Sequence, residues 1–144
     1  MLLGIIFVVS GAIAPAKIYQ HAHIPVLIPS VMPDRGVRRV YENVDLAETG
    51  KYRISFGLAP NCRGATACEA GTVAGGANVD VPVGHFEHVR LRDGTTATFM
   101  PFGCGASCSD SGLTFRWHGV VYELLLKAAT KAEMIRSANS MLPR

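Results

Sequence analysis

Leu113-Thr-Phe-Arg-Trp117-His118-Gly119-Val120-Val-Tyr122-Glu-Leu-Leu-Leu126 is the stretch that decides the fold. Two apolar-alternating runs flank His118-Gly119. A two-residue turn there pairs Trp117 with Val120, Phe115 with Tyr122 and Leu113 with Leu124. Directly paired residues share a sheet face, so all six side chains land together. Pattern and turn therefore agree on an antiparallel hairpin with one buried face.

Working outward, the same logic gives a second hairpin, with His88 to Arg92 and Thr95 to Met100 joined by Asp93-Gly94 as a two-residue turn. Lys51 to Leu58 alternates: Tyr52, Ile54, Phe56 and Leu58 share one face, while Lys51, Arg53 and Ser55 share the other. The Gly-rich region from Pro60 to Gly76 predicts no more than a short strand near Glu69 to Val73. Downstream, Thr130-Lys-Ala-Glu133 spells a capping box, and Met134, Ile135, Ala138, Met141 and Leu142 recur at helical spacing. Strands followed by one helix predict an α+β domain, an antiparallel sheet of hairpins packed against a C-terminal helix. The helix stripe is expected on the face made by Phe115, Trp117 and Tyr122.

At the other end, residues 2–14 carry no charge and are too short to span a bilayer, which needs about 20 apolar residues. Ala14-Pro-Ala16 then offers a small-x-small cleavage pattern, so residues 1–16 read as a signal peptide cut before Lys17. No Lys or Arg precedes the apolar run, and an uncleaved membrane anchor is the alternative. Residues 17–36 hold Pro25, Pro29 and Pro33 and are expected to be an extended opening segment along the domain edge. Residues 37–144 form the single α+β domain.

Export gives the four cysteines their reading. Cys62-Arg-Gly-Ala-Thr-Ala-Cys68 returns, shortened, as Cys104-Gly-Ala-Ser-Cys108. An even count in an oxidising compartment predicts disulfides, and four cysteines allow three pairings. Gly64 and Gly105 let each loop close on itself, so local staples are expected; bridges between the loops and a four-Cys zinc site are the alternatives.

The segment Pro25-Val-Leu-Ile-Pro29-Ser-Val-Met-Pro33 and the closing Trp117-x-Gly119-x-x-Tyr122-x-Leu124, with Glu133 and Asn139-Ser140, together resemble a group of small exported bacterial domains. These are extracytoplasmic domains, some belonging to anti-sigma or sporulation-type proteins, with a sheet-plus-helix shape like that of lipoprotein carriers. The twin Cys loops resemble a Cys-bearing, secreted branch. The resemblance implies a fold and an extracytoplasmic setting, and it brings no catalytic residues.

No cofactor is expected. The net charge of +3 falls short of the clustered basic footprint of a nucleic-acid binder, and Arg35, Arg38 and Arg39 read as a solvated loop. His21, His23, His85 and His88 read as surface residues, not as a metal site; i and i+3 on a strand face opposite ways. Eleven scattered carboxylates include no isolated pair, and Ser107, Ser109 and Ser111 sit in no Gly-x-Ser-x-Gly turn. The expected function is that of a non-enzymatic, secreted or periplasmic interaction domain with an unknown protein partner. The alternative is a carrier or sensor of an apolar ligand held between the sheet and the C-terminal helix, where Phe115, Trp117 and Tyr122 are either ligand face or core. Membrane contact is expected only if the N-terminal segment stays attached.

Overall fold

The computed structural model describes residues 5–7, 15–34, 36, 39–62 and 67–144. Gly64, Arg35, Arg38 and most of the apolar run lie outside the described residues. Among those residues the chain orders β1 (Ile5–Phe7), α1 (Pro15–Ala22), β2 (Val31–Pro33), β3 (Tyr41–Glu48), β4 (Lys51–Gly57) and β5 (Glu69–Gly76). It continues with β6 (Glu87–Arg90), β7 (Thr96–Met100), β8 (Gly103–Cys104), β9 (Cys108–Ser109), β10 (Ser111–Trp117), β11 (Val120–Leu126) and α2 (Lys131–Met141). An antiparallel sheet of seven strands runs β3-β4-β5-β11-β10-β7-β6. β1 pairs with β2, and β8 with β9, as small ribbons.

The hairpin β10–β11 has the register its sequence predicts: Trp117 opposite Val120, Phe115 opposite Tyr122 and Leu113 opposite Leu124. His118 and Gly119 both take positive φ, 48° and 78°, as this tight turn requires. Extending the register across the sheet gives continuous apolar rows. One runs Tyr52, Gly75, Tyr122, Phe115, Ala97, Val89; the next runs Val44, Ile54, Val73, Leu124, Leu113, Phe99. Helix α2 begins at the capping box, with Thr130 accepting from the Glu133 amide and Glu133 accepting from the Thr130 amide. Met134, Ala138 and Met141 are buried in the same core.

Three expectations need correction. The opening segment is not extended throughout: α1 occupies Pro15–Ala22, ahead of the three prolines, and Ile18 and Ala22 enter the core. The expected cleavage bond, Ala16–Lys17, lies within that helix. Second, β5 is a full eight-residue central strand where a short one was expected. Its glycines answer to neighbours. A Cβ on Gly75 would meet Tyr52 at 2.6 Å and Tyr122 at 2.8 Å. Third, the β6–β7 turn holds three residues, Arg92, Asp93 and Gly94. The Leu91 amide donates to Thr95 O, Gly94 takes φ 90°, and Asn139 Oδ1 accepts from the Arg92 amide.

Gly75 leaves room for Tyr52 and Tyr122 to stand side by side and hold the opening segment over the core. The Tyr52 hydroxyl donates to Leu27 O at 2.7 Å and accepts from the Leu27 amide at 3.0 Å; the Tyr122 hydroxyl donates to Pro25 O at 2.7 Å. Ser140 Oγ accepts from the Ser30 and Val31 amides. The Pro-rich opening and the Trp/Tyr-plus-Asn-Ser closing stretches thus form one contact unit, in which hydroxyls serve backbone groups of Pro25, Leu27, Ser30 and Val31.

Candidate functional site

Phe115 and Tyr122 stack with ring centroids 5.7 Å apart and are buried. Burial raises both tyrosine hydroxyls, Tyr122 to about 12. Trp117 is half-buried at the margin of the core, its ring 3.8 Å from that of His118. The face shared by Phe115, Trp117 and Tyr122 is therefore packed under the opening segment and α2. His21, His23, His85 and His88 are exposed, and Ser111 Oγ donates to Ala129 O inside the core.

The opposite face of the sheet is built differently. Its rows read Arg53, Ala74, Glu123, Thr114, Thr98 and then Asn43, Ser55, Thr72, Leu125, Gly112, Met100. Neither helix packs there, since α1 and α2 both contribute to the core on the other side. The connection 77–86 must cross from β5 past three strands to reach β6. Val79 is buried, and Asp80 lies close enough to Glu123 to help raise its carboxyl, which puts the connection over this face.

Beyond that crossover a trough of about 820 Å³ remains open. Its floor is Leu125 and Met100, which close over Gly112; a Cβ there would meet Met100 Cε at 2.9 Å. The β8–β9 ribbon with Cys104 and Cys108 forms one wall, with Phe102, half exposed, at its foot. Glu69, Lys127 and Ala128 form the other. A smaller hollow of about 160 Å³ adjoins it, with Glu69 lining both, and reaches Glu42, Ser55 and Cys62.

The cysteines pair locally, Cys62 with Cys68 and Cys104 with Cys108, and both staples stand at this one end of the sheet. Carboxylates gather between them. Glu69 is raised by burial, then by Asp110 and Asp45, against the pull of Arg53 and Lys127. Glu123 is raised by burial and Asp80, against Arg53. Burial raises Glu42, whose Oε1 has no hydrogen-bond partner among the described residues. Of the candidate site residues that sequence reasoning weighed, the cysteines and Ser109 line the site. The available signal was Leu125: in Leu124-Leu-Leu126 one leucine must face away from the core, and Met100 does so on β7.

Fold and site together define an α+β domain with one packed sheet face and one partly open face that ends in a stapled trough. No family model, curated protein or solved structure matches the chain. Among the described residues no helix is long and apolar enough to cross a membrane.

Proposed function

We propose that this chain is a non-enzymatic, secreted or periplasmic interaction domain that takes its partner in the trough between the two staples. The observation that carries the reading is an apolar floor left open on the sheet face opposite both helices, with a disulfide-closed ribbon as its wall. Export is supported by the apolar run at 2–14 and by two disulfides, which persist in oxidising compartments. The kinship with exported anti-sigma and sporulation-type domains is part of the same proposal. It is supported by the way the two stretches that carry the likeness contact one another through Tyr122 and Ser140.

A carrier of an apolar ligand is the second reading. Met100 and Leu125 favour the trough as its site, because Phe115 and Tyr122 fill the interface under the helix.

Site-specific photo-crosslinking in the native host tests the proposal. A photoreactive residue at Phe102 should give a discrete protein adduct outside the cytoplasm, whereas one at the exposed Arg136, on α2, should not. Adducts at both positions, at neither, or only in the cytoplasm would overturn it.

A further inference from the structure

Resting on the trough reading above, we infer that the occupant is an extended peptide segment of a partner protein in which lysine or arginine alternates with apolar side chains. Charge is the first argument. The chain as a whole is net positive, +3. The trough is not: among the described residues Glu69, Asp110 and Glu123 line it against Lys127 alone. At its border Asp45 and Asp80 add negative charge and Arg53 subtracts it. Burial already disfavours Glu69 and Glu123 as anions, and a partner's cation beside them would offset that cost.

Chemistry of the floor is the second. Met100 and Leu125 on the floor and Phe102 at its edge offer apolar contact beside the carboxylates Glu69, Asp110 and Glu123, which suits a side-chain sequence that alternates apolar and basic groups. Methionine is also the side chain that adapts to varied apolar partners.

Shape is the third. The two hollows share Glu69 in their linings and together extend from Glu42 on β3 to Met100 on β7. That is five strand spacings, roughly 24 Å at about 4.8 Å each. An extended chain of about seven residues covers the distance, and a single small cation does not.

The test uses the full disulfide-intact chain and two blocked heptapeptides. One alternates leucine and lysine; in the other norleucine replaces each lysine. Amide NMR shifts locate binding, and titration gives Kd. The lysine peptide should shift the amides of Glu69, Phe102 and Leu125. The norleucine peptide should bind at least tenfold more weakly, as should the lysine peptide to a Glu69→Gln/Glu123→Gln variant whose melting curve confirms that it folds. Equal trough binding of both peptides would overturn the inference while leaving an apolar trough in place. If neither peptide shifts the trough amides the inference also falls, and the Phe102 crosslink then judges the broader reading independently.

Discussion

The two Cys loops read almost alike, yet they belong to different parts of the molecule. The Cys62–Cys68 staple is set into the body. Cys62 is buried against Gly57, and the Leu58 amide donates to Cys68 O at 2.8 Å, closing the loop onto the end of β4. The Cys104–Cys108 staple crosses a ribbon in which every residue from 101 to 109 is exposed. Its bonds are internal, from the Gly105 amide to Ser107 O and from Ser109 Oγ to Gly103 O. One staple is packed into the end of β4, and the other closes a projecting wall. A repeated spelling thus specifies a repeated local closure, while the neighbours decide what the closure is for.

The comparison breaks first on disulfide removal. Replacing Cys62 and Cys68 by Ser should cost about 2–3 kcal/mol in denaturant melts, the usual range for a short loop. Replacing Cys104 and Cys108 should cost under about 1 kcal/mol, because the ribbon can open locally without unfolding the domain. Equal costs would mean that the ribbon is part of the cooperative core.

Glycine substitutions sharpen it. A Cβ on Gly57 would meet Cys62 Cβ at 2.6 Å and Ala59 O at 3.0 Å, so Gly57→Ala should destabilise by about 1–3 kcal/mol through overpacking. Nothing lies within 4 Å of a Cβ on Gly105, and Gly105→Ala should change stability by no more than about 0.5 kcal/mol. Thermal melts of the pair decide, and similar shifts would remove the distinction.

Limiting reductant gives a kinetic version. Alkylation and mass mapping should show Cys104 and Cys108 labelled well before Cys62 and Cys68, since exposed bridges meet the attacking thiolate first. Simultaneous labelling would place both staples in one opening unit.

The smallest effect concerns Glu69, the carboxylate between the two staples. Its folded-state pKa lies above its ordinary value because of burial, then Asp110 and Asp45. Such a carboxyl favours the fold while protonated, and that advantage is lost as pH rises through the raised value. Glu69→Gln should therefore melt higher than the parent by about 1–3 °C at pH 7, with the gap closing near pH 4, the effect being modest because solvent screens the group. A gap that widened on acidification would reverse the assigned sign.

The unequal staples also mark how far the residues could be read alone. The β10–β11 hairpin was legible because turn and alternation are both local, and the α2 capping box because its partners lie three residues apart. β3 and the end of β5, Ala74 to Gly76, were not. Glu-Ala-Gly-Thr-Val-Ala-Gly-Gly has poor strand chemistry, and its glycines answer to neighbours far along the chain, Tyr52 and Tyr122 at Gly75 and Leu125 O at Gly71. Helix α1 was obscured by the prolines that follow it and by a terminal stretch that reads as a targeting signal. The candidate site was legible only in its cysteines. Glu69, Met100 with Phe102, and Glu123 with Leu125 come from three separate stretches of chain that nothing local connects.

By itself, then, the sequence determined the α+β class, the buried face of its main hairpin, the cap of its last helix and the presence of four pairable cysteines. Each depends on interactions within a few residues or on a period that the chain spells out directly. Tertiary structure alone decided that the staples stand at one end of the sheet, that the crossover 77–86 roofs only part of the second face, and that carboxylates gather over an apolar floor there. Those facts depend on which strands become neighbours, and that choice is made by packing the whole core at once.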